Sequence, residues 1–202
     1  MFFDFDNLTA NQRYHLITQT ITPRPIAWIL TKNDSGSINL APFSYFNAIG
    51  SDPALLVVSI GNKSETIGKD TKVNLLREKE CVLHIPSEAL AEAVNMSASS
   101  LPYGESEIDL CELSLAPFSD SLPRVAEAKV ALHCRLYDVH TVGDSAFEAF
   151  YLEIIGMHVE NDIVTQEGHH TFIDSTMLKP LGRLGGNDFA AFGGKITIKR
   201  PS

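Results

Sequence analysis

Small hydroxyl and cationic side chains recur at predicted strand ends and turns in the first part of the chain, and each can donate hydrogen bonds to phosphate oxygens. A phosphate monoester carries about two negative charges, so it needs several charge-assisted donors and, ideally, the free N–H groups of a helix start. The turn from Gly61 to Thr71 offers both. The sequence therefore predicts an anion site whose candidate donors are Arg24, Ser44, Ser59, Lys63, Ser64, Lys69 and Thr71.

An aromatic run adjoins one of these donors. Phe43, Tyr45 and Phe46 flank Ser44, and such side chains can wall a flat conjugated ring. A phosphorylated aromatic cofactor fits the pairing of donors and aromatics. The alternative is that the aromatics belong to the core and the cations are solvated, and spacing alone does not decide between the two.

Other catalytic and cofactor signatures are missing from the sequence. It contains no Gly-x-Gly-x-x-Gly after a strand, no Gly-x-x-x-x-Gly-Lys-Ser/Thr and no Gly-x-Ser-x-Gly elbow, so Rossmann, P-loop and α/β-hydrolase interpretations lack support. His169 and His170 are adjacent but have no partners at metal-ligand spacing, which favours a solvated loop. No metal site is predicted.

Composition and charge narrow the class of protein. The chain has 202 residues, 44% hydrophobic and 20% charged, which predicts one globular domain over residues 1–202. Its net charge of -9 disfavours nucleic acid as a partner, although a few placed donors can still bind a small anion. Three widely spaced cysteines suggest a reducing compartment, and no signal peptide or membrane span is evident. We therefore expect a cytoplasmic protein that does not bind membranes.

Short strands dominate the predicted elements. Buried or alternating apolar runs separated by turn residues predict strands at 26–31, 38–41, 42–49, 54–60, 81–85, 130–137 and 149–155. Asn33-Asp34-Ser35-Gly36 favours a hairpin, and the loop carrying Gly143-Asp144-Ser145 favours another.

Two short helices interrupt the strands. Asp70 or Thr71 can cap a helix that runs to about Glu78, and Ser87 can cap another from Glu88 to about Asn95. Many antiparallel strands with a few short helices indicate a mainly β (α+β) barrel rather than a doubly wound sheet.

Four sequence blocks together resemble a known family. They are Pro23-Arg24-Pro25-Ile26-Ala27-Trp28, then Asn39 to Asn47, then Asp52-Pro53, and then Lys69-Asp70-Thr71 with Asn74. In order and spacing these four blocks resemble the flavin reductase-like family of FMN-binding split barrels, and the resemblance continues more weakly through Arg183-Leu184-Gly185-Gly186. The resemblance implies an antiparallel split β-barrel over most of the chain. Residues 97–123 match only loosely, and Phe189 stands where many relatives carry tyrosine.

The resemblance also implies a site. FMN would lie in a groove at the interface of a homodimer, with Ser44 donating a hydrogen bond to it. It places along the flavin Ala41, Pro42, Phe43, Ser44, Tyr45 and Phe46. It places near the ribityl phosphate Ser59, Gly61, Lys63, Ser64, Lys69, Asp70 and Thr71. Arg24 either assists or stabilises the start of its strand.

The function that follows from the resemblance is an NAD(P)H-dependent flavin reductase. NADH or NADPH would give a hydride to bound FMN, and the electrons would pass to free flavin, oxygen or a partner protein. Two alternatives stay open: a flavoredoxin-like FMN electron carrier reduced by a protein, and a split barrel with a non-redox ligand. The sequence does not identify the acceptor, the preferred nucleotide or the role of the C-terminal tail.

Overall fold

The fold is mainly antiparallel β-structure with short helices. The computed structural model describes residues 1–102, 104–141, 143, 147–199 and 201. The helices are α1 (Ala10–Thr20), α2 (Asp70–Glu78), α3 (Ala91–Met96), α4 (Glu107–Leu110) and α5 (Ser175–Leu178). The strands are β1 (Arg24–Pro25), β2 (Ala27–Lys32), β3 (Ile38–Phe43), β4 (Phe46–Ser51), β5 (Ala54–Ile60), β6 (Glu80–Ile85), β7 (Leu115–Ala116), β8 (Arg124–Val125), β9 (Val130–Thr141), β10 (Glu148–Val159), β11 (Val164–Glu167), β12 (His170–Ile173), β13 (Gly182–Arg183) and β14 (Phe189–Ala190).

Seven strands form the central sheet in the order β3-β2-β6-β9-β10-β5-β4, and all of its pairs are antiparallel. The hairpin predicted at Asn33 to Gly36 joins β2 to β3, and the hairpin predicted around Gly143 is the long β9–β10 pair. Asp144 and Ser145 of that hairpin lie outside the described residues. The predicted run 42–49 is divided, because β3 ends at Phe43 and β4 begins at Phe46.

The sheet separates two hydrophobic cores. β2 is buried on both faces, with Ala27 and Ile29 in the first core and Trp28 and Leu30 in the second. β3 also contacts β5, so the sheet curls around the first core, which Phe150 fills. The second core lies between the sheet and the segments of α3 and α4. Burial on both faces explains why β2 reads as a continuous apolar run rather than an alternating one.

Helix α1 was not predicted, and the caps of α2 and α3 differ from expectation. α1 starts with a capping box in which Thr9 accepts from the Gln12 N–H and the Gln12 side chain accepts from the Thr9 N–H. The N-cap of α2 is Lys69, not Asp70 or Thr71, and no side chain caps it. Ser87 likewise makes no capping bond and precedes a 3-10 turn, so the predicted second helix begins only at Ala91.

Arg24 joins three distant segments through its guanidinium. Nη1 donates to the carbonyl oxygens of Thr18 (2.6 Å) and Ile21 (2.9 Å) at the end of α1, and Nη2 donates to that of Leu184 (2.9 Å). Nε donates to Ser44 Oγ at 3.3 Å. The side chain is buried, so these bonds are made in a low-dielectric environment. Arg24 therefore ties the start of the strand to α1, to Ser44 and to the chain at Leu184.

Replacing Arg24 with lysine should lower the free energy of unfolding by about 1.5 kcal/mol. An ammonium cannot reproduce the planar guanidinium, which donates to the end of α1 and to Leu184 at the same time. Urea denaturation would measure the change. The matched control is Arg135→Lys, at an exposed guanidinium that pairs with Glu153, where the effect should stay below about 0.5 kcal/mol. An equal loss in both variants would contradict the role given to Arg24.

Candidate functional site

Two neighbouring cavities open beside the end of β3 and share Pro42 and Ala98. We call the first the anion cavity, of about 110 Å³, lined by Asn39, Ala41, Pro42, Lys63, Lys69, Asp70, Thr71, Ser97, Ala98, Ser99, Ser100, Leu101 and Glu107. We call the second the aromatic cavity, of about 130 Å³, lined by Ile26, Pro42, Phe43, Ser44, Val94, Asn95, Ala98, Arg183 and Phe189.

The anion cavity contains a lysine without a carboxylate partner. Lys63 Nζ lies 2.8 Å from a carboxylate oxygen of Asp70 and also donates to the Leu101 carbonyl. Lys72, one turn into α2, pairs with Glu148. Within the described part of the chain no ion pair or hydrogen bond is found for Lys69 Nζ, which lies 5.3 Å from the centre of the Phe43 ring. Burial lowers the pKa of Lys69, and the nearby charge of Lys63 lowers it further. An anion entering this cavity would therefore gain a partly buried, uncompensated cation.

The start of α2 adds backbone donors to the same cavity. Lys69 occupies the N-cap and makes no side-chain capping bond, so the first N–H groups of the helix have no side-chain acceptor at that position. Asp70 and Thr71, the first two residues of α2, line the cavity, so the positive end of the helix dipole lies beside it. The helix continues for nine residues, long enough to carry an appreciable dipole. A phosphate is the kind of ligand that such a helix start binds.

Buried polar bonds hold Thr71 in place. Asn39 Nδ2 donates to Thr71 Oγ1 at 3.0 Å and to Thr31 Oγ1 at 3.1 Å, and Asn74 Nδ2 also donates to Thr31 at 3.1 Å. All four side chains are at most 3% exposed. Because Thr71 Oγ1 accepts from Asn39, its hydroxyl proton can be donated to a ligand. This network explains why Asn39 and Asn74 belong to the sequence blocks described above.

Two aromatic side chains, Phe43 and Phe189, line the aromatic cavity. Phe189 stacks under the Arg183 guanidinium with 4.6 Å between the guanidinium carbon and the ring centre. Arg183 also donates to the carbonyl oxygens of Asp188 and Gly186, both at 2.6 Å, which fixes the loop before β14. Ser44 belongs to the same lining. Aromatic side chains are suited to contact with a planar ring.

The structure brings together some of the predicted site residues and separates others. Those that line the two cavities are Ala41, Pro42, Phe43, Ser44, Lys63, Lys69, Asp70 and Thr71. Tyr45, Phe46 and Arg24 line a third, apolar cavity beside α1, which Ser44 also borders. Ser59 lies in β5, Gly61 is buried next to the Phe147 ring, and Ser64 is an exposed turn residue; none of the three lines either of the first two cavities.

Sequence reasoning missed the loop after α3. Residues 97–101 and Glu107 line the anion cavity, within the stretch that matched the family only loosely. The loop is fixed from the core, because Trp28 Nε1 donates to Ser97 Oγ at 2.8 Å and Ser97 Oγ donates to the Val94 carbonyl at 3.0 Å. A lone tryptophan followed much later by a polar serine-rich stretch gave no signal of that contact.

The adjacent histidines lie in an exposed turn, where a solvated loop was predicted. His169 and His170 are exposed at the turn between β11 and β12. No group of three or more potential metal ligands is found among the residues that the structure describes. Within the same residues no helix has the length and hydropathy needed to cross a membrane.

Solved structures of similar fold include two with substantial sequence identity. Nitrilotriacetate monooxygenase component B from Bacillus cereus superposes with a TM-score of 0.90 and 31% identity, covering 98% of each chain. The 2-nitrobenzoate 2-nitroreductase of Pseudomonas fluorescens superposes with a TM-score of 0.89 and 28% identity, covering 100% of this chain and 97% of the other.

A third structure identifies the architecture. A Shewanella frigidimarina protein with a split barrel domain superposes with a TM-score of 0.82 at 20% identity, covering 100% of this chain and 99% of the other, a likeness that shows the fold alone. The predicted antiparallel split β-barrel is thus confirmed. The family model for the flavin reductase like domain matches residues 19–176, most of the chain. The chain therefore belongs to the flavin reductase-like family.

Proposed function

We propose that this protein is an oxidoreductase that binds FMN in the groove formed by the anion and aromatic cavities. The observation that carries the proposal is the partly buried Lys69, which has no carboxylate partner among the described residues although Lys63 and Lys72 beside it are both paired. A buried lysine is costly unless an anion compensates it. The ligand phosphate is the compensating group that we assign to it.

The residues present fit both ends of FMN. Lys69, Thr71 and the first N–H groups of α2 would hold the phosphate, and Pro42 with Phe43 and Phe189 would flank the ring. The two cavities share Pro42 and Ala98, so one elongated ligand can reach from one to the other. When bound, FMN would supply the hydride and electron transfer. The chain's own residues would orient the ring and keep water away from one face.

NADH or NADPH is the electron donor that we assign to the site. The hydride would be delivered to the ring, so no side chain has to act as an acid or base in that step. The names of the two similar structures, a monooxygenase component and a nitroreductase, support redox chemistry for this chain. The physiological acceptor would then be chosen by the residues around the open face of the aromatic cavity.

The test is titration of the purified protein with FMN, followed by its absorption spectrum. We expect a perturbed flavin spectrum that saturates at one FMN per chain, and bleaching within seconds when NADH or NADPH is added under nitrogen. An unperturbed spectrum would refute flavin binding. Binding without bleaching over many minutes would refute reduction by pyridine nucleotide and favour an electron carrier reduced by a protein.

We further propose that the protein acts in the cytoplasm as a homodimer with the flavin near the subunit interface. Three large hydrophobic side chains, Ile49 of β4 and Ile155 and Met157 of β10, are 51%, 44% and 58% exposed, and a second subunit would cover them. Sedimentation equilibrium should give twice the chain mass of 22.2 kDa. A monomer at micromolar concentration would contradict the proposal.

A further inference from the structure

A buried carboxylate faces the anion cavity. Glu107 is the first residue of α4 and is only 4% exposed, and its Oε2 accepts from the N–H of Leu40 at 2.8 Å. That bond fixes β3 just before Ala41, which lines the anion cavity, and Pro42, which lines both cavities. Its position places negative charge in a cavity otherwise suited to an anion.

A second carboxylate in this cavity opposes a phosphate when it is ionised. Lys63 and Asp70 lie 2.8 Å apart and largely neutralise each other, while Lys69 and Glu107 both line the cavity without an ion pair between them among the described residues. A phosphate in the cavity would be attracted by Lys69 and repelled by an ionised Glu107. Protonation of Glu107 removes that repulsion.

Every charged or titratable group that acts on Glu107 can be named. Burial raises the pKa of the Glu107 carboxyl, and the N–H groups of Leu40 and of Glu107 itself lower it. Asp70 on α2 raises that pKa, and Lys63 lowers it. At the end of α4, burial raises the pKa of the Cys111 thiol, and the charge of Glu107 raises it further. Burial is the largest of these influences, so the pKa of the Glu107 carboxyl lies above its ordinary value.

We propose that Glu107 takes up a proton when a phosphate monoester occupies the anion cavity and then donates a hydrogen bond to the bound phosphate. In the protonated carboxyl one oxygen still accepts from Leu40, while the other becomes an O–H donor. A group that repels the ligand is thereby converted into one that binds it. The inference rests on the proposed FMN site and adds a binding residue to it.

The experiment is isothermal titration calorimetry with FMN at about pH 7.5, where the phosphate is already largely dianionic. The titration is repeated in phosphate-free buffers of different ionisation enthalpy, because the dependence of the measured heat on the buffer gives the protons exchanged. We expect proton uptake that approaches one per FMN. Riboflavin, which lacks the phosphate, should bind without uptake.

The variant Glu107→Gln provides the second arm, since its amide mimics the protonated acid in shape and charge. It should bind FMN without proton uptake. The Kd of the natural protein for FMN should fall as the pH is lowered from about 8 to about 7, and that of the variant should stay constant over the same range. If the variant does not fold, infrared difference spectra of the natural protein should show a protonated carboxyl band that appears with FMN and not with riboflavin.

The outcomes separate the two proposals. FMN that binds with no proton uptake, or with equal uptake by the natural protein and Glu107→Gln, overturns the role of Glu107 and leaves the flavin site standing. Equal proton uptake with FMN and with riboflavin would show that the proton is taken up near the flavin ring, and it would also overturn the role of Glu107. Failure of FMN to bind at all overturns the proposed function and, with it, this inference.

Discussion

Replacing Lys69 with alanine should weaken FMN binding by about 1.5 to 3 kcal/mol, a roughly ten- to hundredfold rise in Kd. Among the described residues the Lys69 ammonium has no carboxylate partner, so its removal would abolish a charge-assisted bond to the proposed phosphate without breaking an ion pair. The affinity for riboflavin should hardly change, because that ligand has no phosphate. Fluorescence quenching titrations with both flavins would measure the two constants.

Two further variants make the result specific. Lys129→Ala removes the same charge from a surface pair with Asp162, away from both cavities, and should leave the affinity for FMN unchanged. Lys69→Arg keeps the charge with altered geometry and should retain part of the affinity. Equal weakening of FMN and riboflavin by Lys69→Ala would place the lysine at the ring instead, and unchanged affinity would remove it from the site.

The parts of the fold that the sequence predicts are those decided by local pattern. The run from Ala54 to Ile60 is one strand in the structure, as its β-branched and apolar residues indicate. The Asn33 to Gly36 turn forms its hairpin because these residues favour tight turns. Lys69, Asp70 and Thr71, which were predicted as phosphate contacts, are likewise contiguous in sequence, and all three line the anion cavity.

The parts that sequence reasoning missed depend on long-range contacts or weak local signals. Among the residues of α1 only Thr18 is buried, so the helix has no apolar stripe to reveal it, and its signal is the capping box of Thr9 and Gln12. Arg24 binds a carbonyl 160 positions away, which no local pattern encodes. Phe43 and Phe46 line different cavities, with Ser44 bordering both, because β3 ends at Phe43 and β4 begins at Phe46.

The structure also predicts how the protein responds to acid, through His84 near the end of β6. The ring is fully buried, its Nε2 accepts from the N–H of Val125 at 3.0 Å, and its Nδ1 lies 3.0 Å from the Trp28 carbonyl. Nε2 therefore carries no proton and Nδ1 donates to Trp28. Burial lowers the pKa of His84 to about 4, and the charge of Arg124 lowers it further, although the bond to Trp28 raises it.

The sign of the pH effect follows from that lowered pKa. In the unfolded chain the pKa of a histidine is about 6.5, so between about pH 6.5 and pH 4 the unfolded state binds a proton that the folded state does not. The free energy of unfolding should fall by about 3 kcal/mol across this window and should not depend on His84 above about pH 7.5. Urea denaturation at a series of pH values would measure the slope.

Comparison with His84→Gln isolates the contribution of this ring. The variant cannot take up the proton, so its stability should be lower at neutral pH but should decline less steeply toward pH 5 than that of the natural protein. If the free energy of unfolding declined equally steeply with falling pH in the two proteins, groups other than His84 would cause the acid sensitivity. Nitrogen NMR of the natural protein gives an independent answer, because the neutral Nδ1–H ring should persist at about pH 5, where an exposed histidine is charged.

Protonation of His84 should also weaken FMN binding before the protein unfolds. His84 bonds the Trp28 carbonyl, and the Trp28 side chain bonds Ser97, so a charged His84 should loosen the loop that lines the anion cavity.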